Sequence, residues 1–169
     1  MFFPWTAPIG FPRLTIVRFL MIAIKKQKRY YSGKKKRHTL RTQLLVSLLT
    51  GEIIALAFSN GKKHDFRLFK DSGIHVKAET VLEADTGCQG LAQIHANSLL
   101  PKKRSKHHPL TKQERKENRE ISRKRIFAEH AIRFVKRFRI LSARYRSRSI
   151  RFAHRFSLIA GICNFVRFI

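Results

Sequence analysis

Acidic residues are missing from the first third of this chain, and that gap constrains it more than any other feature. The first carboxylate is Glu52, and the residues before it carry eleven Lys and Arg. Over all 169 residues, 37 Lys and Arg stand against 10 Asp and Glu, a formal net charge of +27. A compact chain with that imbalance repels itself and attracts polyanions. Its natural partners are DNA, RNA or an anionic membrane surface. The apolar content argues against a disordered basic tail, because 43% of the residues are hydrophobic and 14 are Phe, enough to build a core. The length suits one folded domain.

Other classes fall away quickly. Two cysteines, Cys88 and Cys163, are too few for a disulfide framework or, by themselves, a zinc site; they fit a reducing cytoplasm. The opening stretch, Met1 to Ile24, is apolar but carries Arg13 and Arg18 inside the run. A signal peptide wants its positive charge first, and a membrane span wants about 20 apolar residues without charges. A membrane partner is therefore not expected.

From His38 the pattern is strand-like. The runs His38–Val46 and Ile53–Phe58 flank the turn Leu49-Thr-Gly-Glu52 and predict an antiparallel hairpin. Asn60-Gly61 is a second turn signal. Asp65–Asp71 predicts a short helix ended by Ser72-Gly73, and Thr80–Ala84 a buried strand that delivers Asp85 at its C-terminal end. Gln89–Ala96 reads as a helix. After the basic loop Pro101–Pro109, the capping box Thr111-x-x-Glu114 opens a long helix. Phe127, Ala131, Phe134, Val135 and Phe138 make its apolar stripe. The tail Phe156–Ile169 reads as a last helix. The order predicts a mixed α/β domain.

Asp85 and Glu129 are the candidate chemical pair. Side chains converge beyond the carboxyl ends of strands, and Glu129 shares a helix face with Arg133 and Lys136. Carboxylates among bases suit a place where Mg²⁺ meets phosphate. Each acid also has an ordinary reading: Glu129 as a surface ion pair with Arg133, Asp85 as a turn aspartate. Asp65, next to His64, could cap the short helix. The histidines His107 and His108 read as solvated charge. Lys34, Lys35, Lys36 and Arg37 form one basic block, and Arg144, Arg146 and Arg148 belong to an arginine-rich stretch; both suit contact with a phosphate backbone.

Several blocks resemble bacterial insertion-sequence transposases of the DDE endonuclease superfamily, Harbinger-like group. They are Lys25–Thr42 (KKQKRYYSGKKKRHTLRT), Asn60–Phe69 (NGKKHDFRLF), Leu82–Gly90 (LEADTGCQG), Phe127–His130 with the helix to Leu141, and Arg155–Phe165. The resemblance implies an RNase H-like mixed sheet with flanking helices, and three acids that hold two divalent ions, Mg²⁺ or Mn²⁺. Those ions would cut and join DNA at element ends and target. By position Asp85 matches the second acid and metal ligand and Glu129 the third, while His64 and Asp65 match a supporting His-Asp pair. It further implies a cytoplasmic, nucleoid-associated protein that could assemble with copies of itself.

Relatives carry the first acid in an Asp-x-Thr-Glu segment on the first strand. Here that place falls within Leu14–Ile24, which holds no acid. The expectation is thus a partial catalytic domain over residues 25–169 behind an unmatched apolar segment, 1–24, with its first strand in doubt and its metal site incomplete. A non-enzymatic nucleic-acid binder or repressor is the alternative.

Overall fold

The structure, a computed structural model, describes residues 13–22, 31–32, 36–104, 109–143 and 150–167. Six strands and five helices follow in the order β1 (Arg13–Ile22), β2 (Tyr31–Ser32), β3 (Arg37–Ser47), β4 (Ile53–Asn60), α1 (Asp65–Asp71), β5 (Val81–Glu83), β6 (Ser98–Leu99), α2 (Lys112–Lys124), α3 (Ile126–Val135), α4 (Arg139–Ser142) and α5 (Ile150–Arg167). The main sheet runs β4-β3-β1-β5-β6, with β2 paired to the start of β3. β1, β3 and β4 are antiparallel neighbours, whereas β5 runs parallel to β1 and β6 parallel to β5. This is the mixed α/β architecture implied by the resemblance.

The first strand, in doubt from the sequence, is the centre of the sheet. Leu14 to Ile22 pair with Ser47 to Thr39 on one side, and Arg13 to Thr15 with Val81 to Glu83 on the other. It lies on the N-terminal side of the 24/25 boundary drawn from the sequence. The run escaped recognition because it does not alternate. Helices cover both faces, so Leu14, Ile16, Val17, Phe19 and Met21 are all buried, as in any strand with two dry faces.

The β3–β4 hairpin forms as predicted. Gly51 takes φ +72° in its turn, a conformation that carries a steric penalty for residues with a Cβ. At the other end of β4, a Cβ on Gly61 would come within 1.8 Å of the Thr39 hydroxyl, so only glycine lets the chain pass there.

One face of the sheet packs against α3 and α5. Val17, Phe19, Met21, Leu44 and Val46 meet Ala128, Ala131 and Val135 of α3 and Phe152, Phe156 and Ile159 of α5. Phe156 is the hub, edge-on to Phe19, Phe58 and Phe152 at centroid distances of 5.1, 5.8 and 5.7 Å. Each fully buried aromatic contributes about 1.5–3 kcal/mol by transfer from water. Asn164 of α5 binds both backbone groups of Ile53, donating to its carbonyl and accepting from its N–H at 3.0 Å. The other face is smaller: Leu14, Ile16, Leu45, Leu82 and Ala84 pack on Phe69 of α1, Cys88 and Leu91.

Three helix expectations change. Gln89–Ala96 is not a helix; only a 3-10 turn, Leu91–Gln93, forms there. Gly90 at φ +98° breaks the run, and His95 is held by its ring Nε2 against the Thr80 carbonyl at 2.6 Å, returning the chain to the sheet as β6. The long helix is two, α2 and α3, broken at Arg125. The last helix starts earlier, at Ile150.

Candidate active site

The site forms where β1, β5, α1 and α3 meet. Ile16, Val17 and Arg18 of β1 come up beside Asp65 at the start of α1, Asp85 just past β5, and Glu129 on the exposed side of α3. Together they wall a cavity of about 380 Å³. Each acid has a local reason for its place. β5 ends at Glu83 and the buried Ala84, so Asp85 is the first side chain free of the sheet. It caps the 3-10 turn Thr86–Cys88, accepting from the Thr86 N–H at 2.7 Å. The turn-aspartate reading is therefore correct as a local description, alongside its place in the cavity.

Asp65 does not cap α1. The N-cap is His64, which makes no side-chain capping bond. Asp65 instead spends each oxygen on an arginine: Arg18 Nη1 donates to Oδ2 at 2.9 Å, and Arg41 Nη1 lies 3.1 Å from Oδ1. The Arg41 pair is well buried, with both side chains 13% exposed, and Arg41 also donates to the Lys63 and Gly61 carbonyls. Gln43 fixes the same corner by donating to the Asp65 carbonyl at 3.3 Å. A Cβ on Gly87 would stand 3.2 Å from Asp65 Oδ2, so the loop after Asp85 passes close against this carboxylate.

Arg125, at the break between α2 and α3, reaches Asp85 Oδ1 at 3.6 Å. Glu129 makes no ion pair with Arg133 or with any other described residue. Arg133 and Lys136, one and two turns further along the same face, line the cavity with it. Between Asp65 and Asp85 sits Cys88, whose thiol is pushed up to about 11 by burial and then by the two carboxylates. It stays protonated and unreactive at neutral pH.

Beneath the site, Glu83 is fully buried, and neither carboxylate oxygen has a hydrogen-bond partner among the described residues. Burial raises its pKa, against the opposing pull of Lys124, Arg13 and Arg125. It is a carboxylate near the site, but it does not line the cavity.

Of the residues singled out from the sequence, Asp65, Asp85, Glu129, Arg133 and Lys136 are brought together. His64 stands beside the group without lining it. Lys36 is exposed in the tight turn before β3, at φ +48°, and Arg37 begins that strand. Lys34, Lys35, His107, His108, Arg144, Arg146 and Arg148 lie outside the described residues. Arg18, Arg125 and Gln43 were not foreseen as site residues. The one signal for Arg18 was a cation interrupting an otherwise apolar strand, a costly position unless it has a partner.

DDE superfamily endonucleases generally use divalent metals, so the donor set can be tested for fit. It does not suit a two-ion site. Among the described residues no three His, Cys, Asp or Glu side chains group to hold a metal ion. Asp65 is bound on both oxygens by guanidinium groups, Asp85 is opposed by Arg125, and β1 lines the cavity with Ile16, Val17 and the cation Arg18.

Comparison with known proteins identifies the family. The family model described as DDE superfamily endonuclease matches residues 15–165, beginning within β1. The chain is 46% identical over 141 residues to a probable transposase for insertion sequence element IS702 from Microchaete diplosiphon, a match covering 83% of this chain and 51% of that protein. It therefore spans about half the length of the curated relative it matches. No solved structure matches the chain significantly. With the family's pattern running across nearly the whole sheet and all its flanking helices, the chain belongs to the DDE superfamily endonucleases.

Proposed function

We propose that this chain is the endonuclease domain of an insertion-sequence transposase that holds DNA at the β1–β5–α3 cavity but cannot carry out metal-dependent cleavage. The observation that supports this reading is the contribution of β1 to the cavity: Ile16, Val17 and Arg18, with no carboxylate among them. Asp85 and Glu129 are the two acids left for catalysis and metal binding. Two dications about 4 Å apart need a dense set of anionic oxygens, and two carboxylates beside four cationic side chains lack it.

DNA is the partner that suits a net charge of +27, through backbone contacts from Arg133, Lys136 and the basic blocks. No helix among the described residues is long and apolar enough to cross a membrane, and a cytoplasmic location is part of the proposal. The experiment is a nicking assay on supercoiled plasmid with Mg²⁺ or Mn²⁺. No nicking is expected. Nicking that Asp85→Ala abolishes would overturn the incompetence. Retained binding that prefers the terminal repeats of related elements would mark a repressor of transposition.

A further inference from the structure

We infer that Arg18 stands where a divalent cation would sit, so that the cavity takes a phosphodiester of a nucleic-acid backbone directly, with no metal. The inference rests on the proposed DNA-holding role and specifies its chemistry. It starts from how the charges in the cavity are matched. Arg41 neutralises Asp65 in a buried pair, and Arg125 faces Asp85. Three cations then remain along the walls, Arg18, Arg133 and Lys136, against the single carboxylate of Glu129. Arg133 and Lys136 make no ion pair among the described residues, and Arg18 keeps nearly half of its side chain open to solvent (48%) while tethered to Asp65.

A dication entering this space would meet three positive groups, with Asp65 and Asp85 already engaged and only Glu129 left to receive it. A phosphodiester, with one negative charge and two free oxygens, meets the reverse. Arg18 fits it by geometry as well as charge. A guanidinium carries five N–H donors in a planar fork. The described contact of Arg18 with Asp65 uses Nη1, leaving Nη2 and the remaining N–H groups for an anion above the sheet. Asp65 acts here as the group that aims the fork rather than as a metal ligand. The cavity is also large enough, since about 380 Å³ admits a phosphate group together with its sugar.

The test uses the full chain and a fluorescein-labelled DNA duplex, followed by anisotropy at constant ionic strength in EDTA, Mg²⁺ or Mn²⁺, with Mn²⁺ binding followed separately by electron paramagnetic resonance. For the native chain, equal affinity in EDTA and in Mg²⁺ is expected, with no Mn²⁺ bound in the cavity. Arg18→Asp should lose about tenfold or more of its affinity in EDTA. It should also gain a bound Mn²⁺ and recover DNA binding when that ion is present. Lys77→Asp, an exposed position away from the cavity with the same change of charge, should lose far less. Arg18→Gln, a neutral variant at a half-exposed position, guards against misfolding and should lower the slope of log K against log salt by about 0.9, one phosphate contact; Arg18→Lys should leave that slope unchanged. Equal losses for Arg18→Asp and Lys77→Asp would overturn the inference while leaving general DNA binding intact. Mn²⁺ bound by the native chain and lost in Asp85→Asn would overturn it too.

Discussion

The helices α2 and α3 come from one continuous helical stretch of sequence, yet they are held by opposite means. α2 buries none of its side chains. It depends on its capping box, in which the Thr111 hydroxyl accepts from the Glu114 N–H at 3.2 Å and the Glu114 carboxylate accepts from the Thr111 N–H at 2.9 Å. One strap ties it to the body: the Asn118 amide exchanges hydrogen bonds with the backbone of Lys102, whose ammonium reaches Glu114 and Glu117. α3 has no side-chain cap, but Ala128, Ala131 and Val135 are nearly or wholly buried against the sheet. A polar helix held by local contacts opens alone, whereas one held by a core opens only with the domain. The break at Arg125 is where one regime ends. It is also where a side chain turns back to Asp85, which links the helix boundary to the electrostatics of the site.

The largest expected effect falls on the core under α3. Phe156→Ala should lower unfolding free energy by about 3–5 kcal/mol, measured by urea denaturation, and should loosen α3 and α5 together. A loss confined to α5 would show that α3 is anchored independently. Val135→Ala, on α3 itself, should cost roughly 2–3 kcal/mol, seen as a shifted midpoint with an unchanged slope.

Thr111→Ala should cost α2 about 1 kcal/mol of local stability. Amide exchange should quicken in residues 112–124 while the global midpoint barely moves. A full global loss would mean that α2 and α3 behave as one helix after all.

The smaller effects are electrostatic. Glu83 sits under the junction with its pKa raised by burial, so the folded state binds its proton more tightly than the unfolded chain does. Its cost is absent at acid pH and grows as pH climbs from the unfolded value towards the folded one. Glu83→Gln should therefore raise the melting temperature modestly at pH 7 and little at pH 4. A lower melting temperature at pH 7 would point to a needed charge, paired with Lys124 or Arg125. Glu114 has the opposite sign: hydrogen bonding to the Thr111 backbone comes first in holding its pKa down. Its contribution is present above the ordinary carboxylate range and lost as pH falls through the folded value. Amide protection in α2 should accordingly weaken on acidification before that in α3, as followed by hydrogen exchange.

The legible parts of this molecule are those whose signals are local. The β3–β4 hairpin, α1, the strand before Asp85 and the Thr111 cap follow from alternation, turn residues and capping chemistry read over short windows. Asp85 and Glu129, singled out through strand-end placement and family resemblance, line one cavity. What stayed hidden needed a partner from elsewhere. β1 does not alternate because it is covered on both faces, and Gln89–Ala96 is helical in composition but is unwound by Gly90 and the His95–Thr80 contact.

The sequence by itself determined that this chain is a basic α/β domain with no carboxylate before Glu52, because charge and local periodicity are properties of the chain. Only the tertiary structure decided that Arg18, on the central strand, lines one cavity with Asp85 and Glu129. It also decided that Asp65 is engaged by two arginines and that a single helical pattern divides at Arg125. Those outcomes depend on which strands are neighbours and on which charges share a poorly solvated space, and no stretch of sequence carries that information alone.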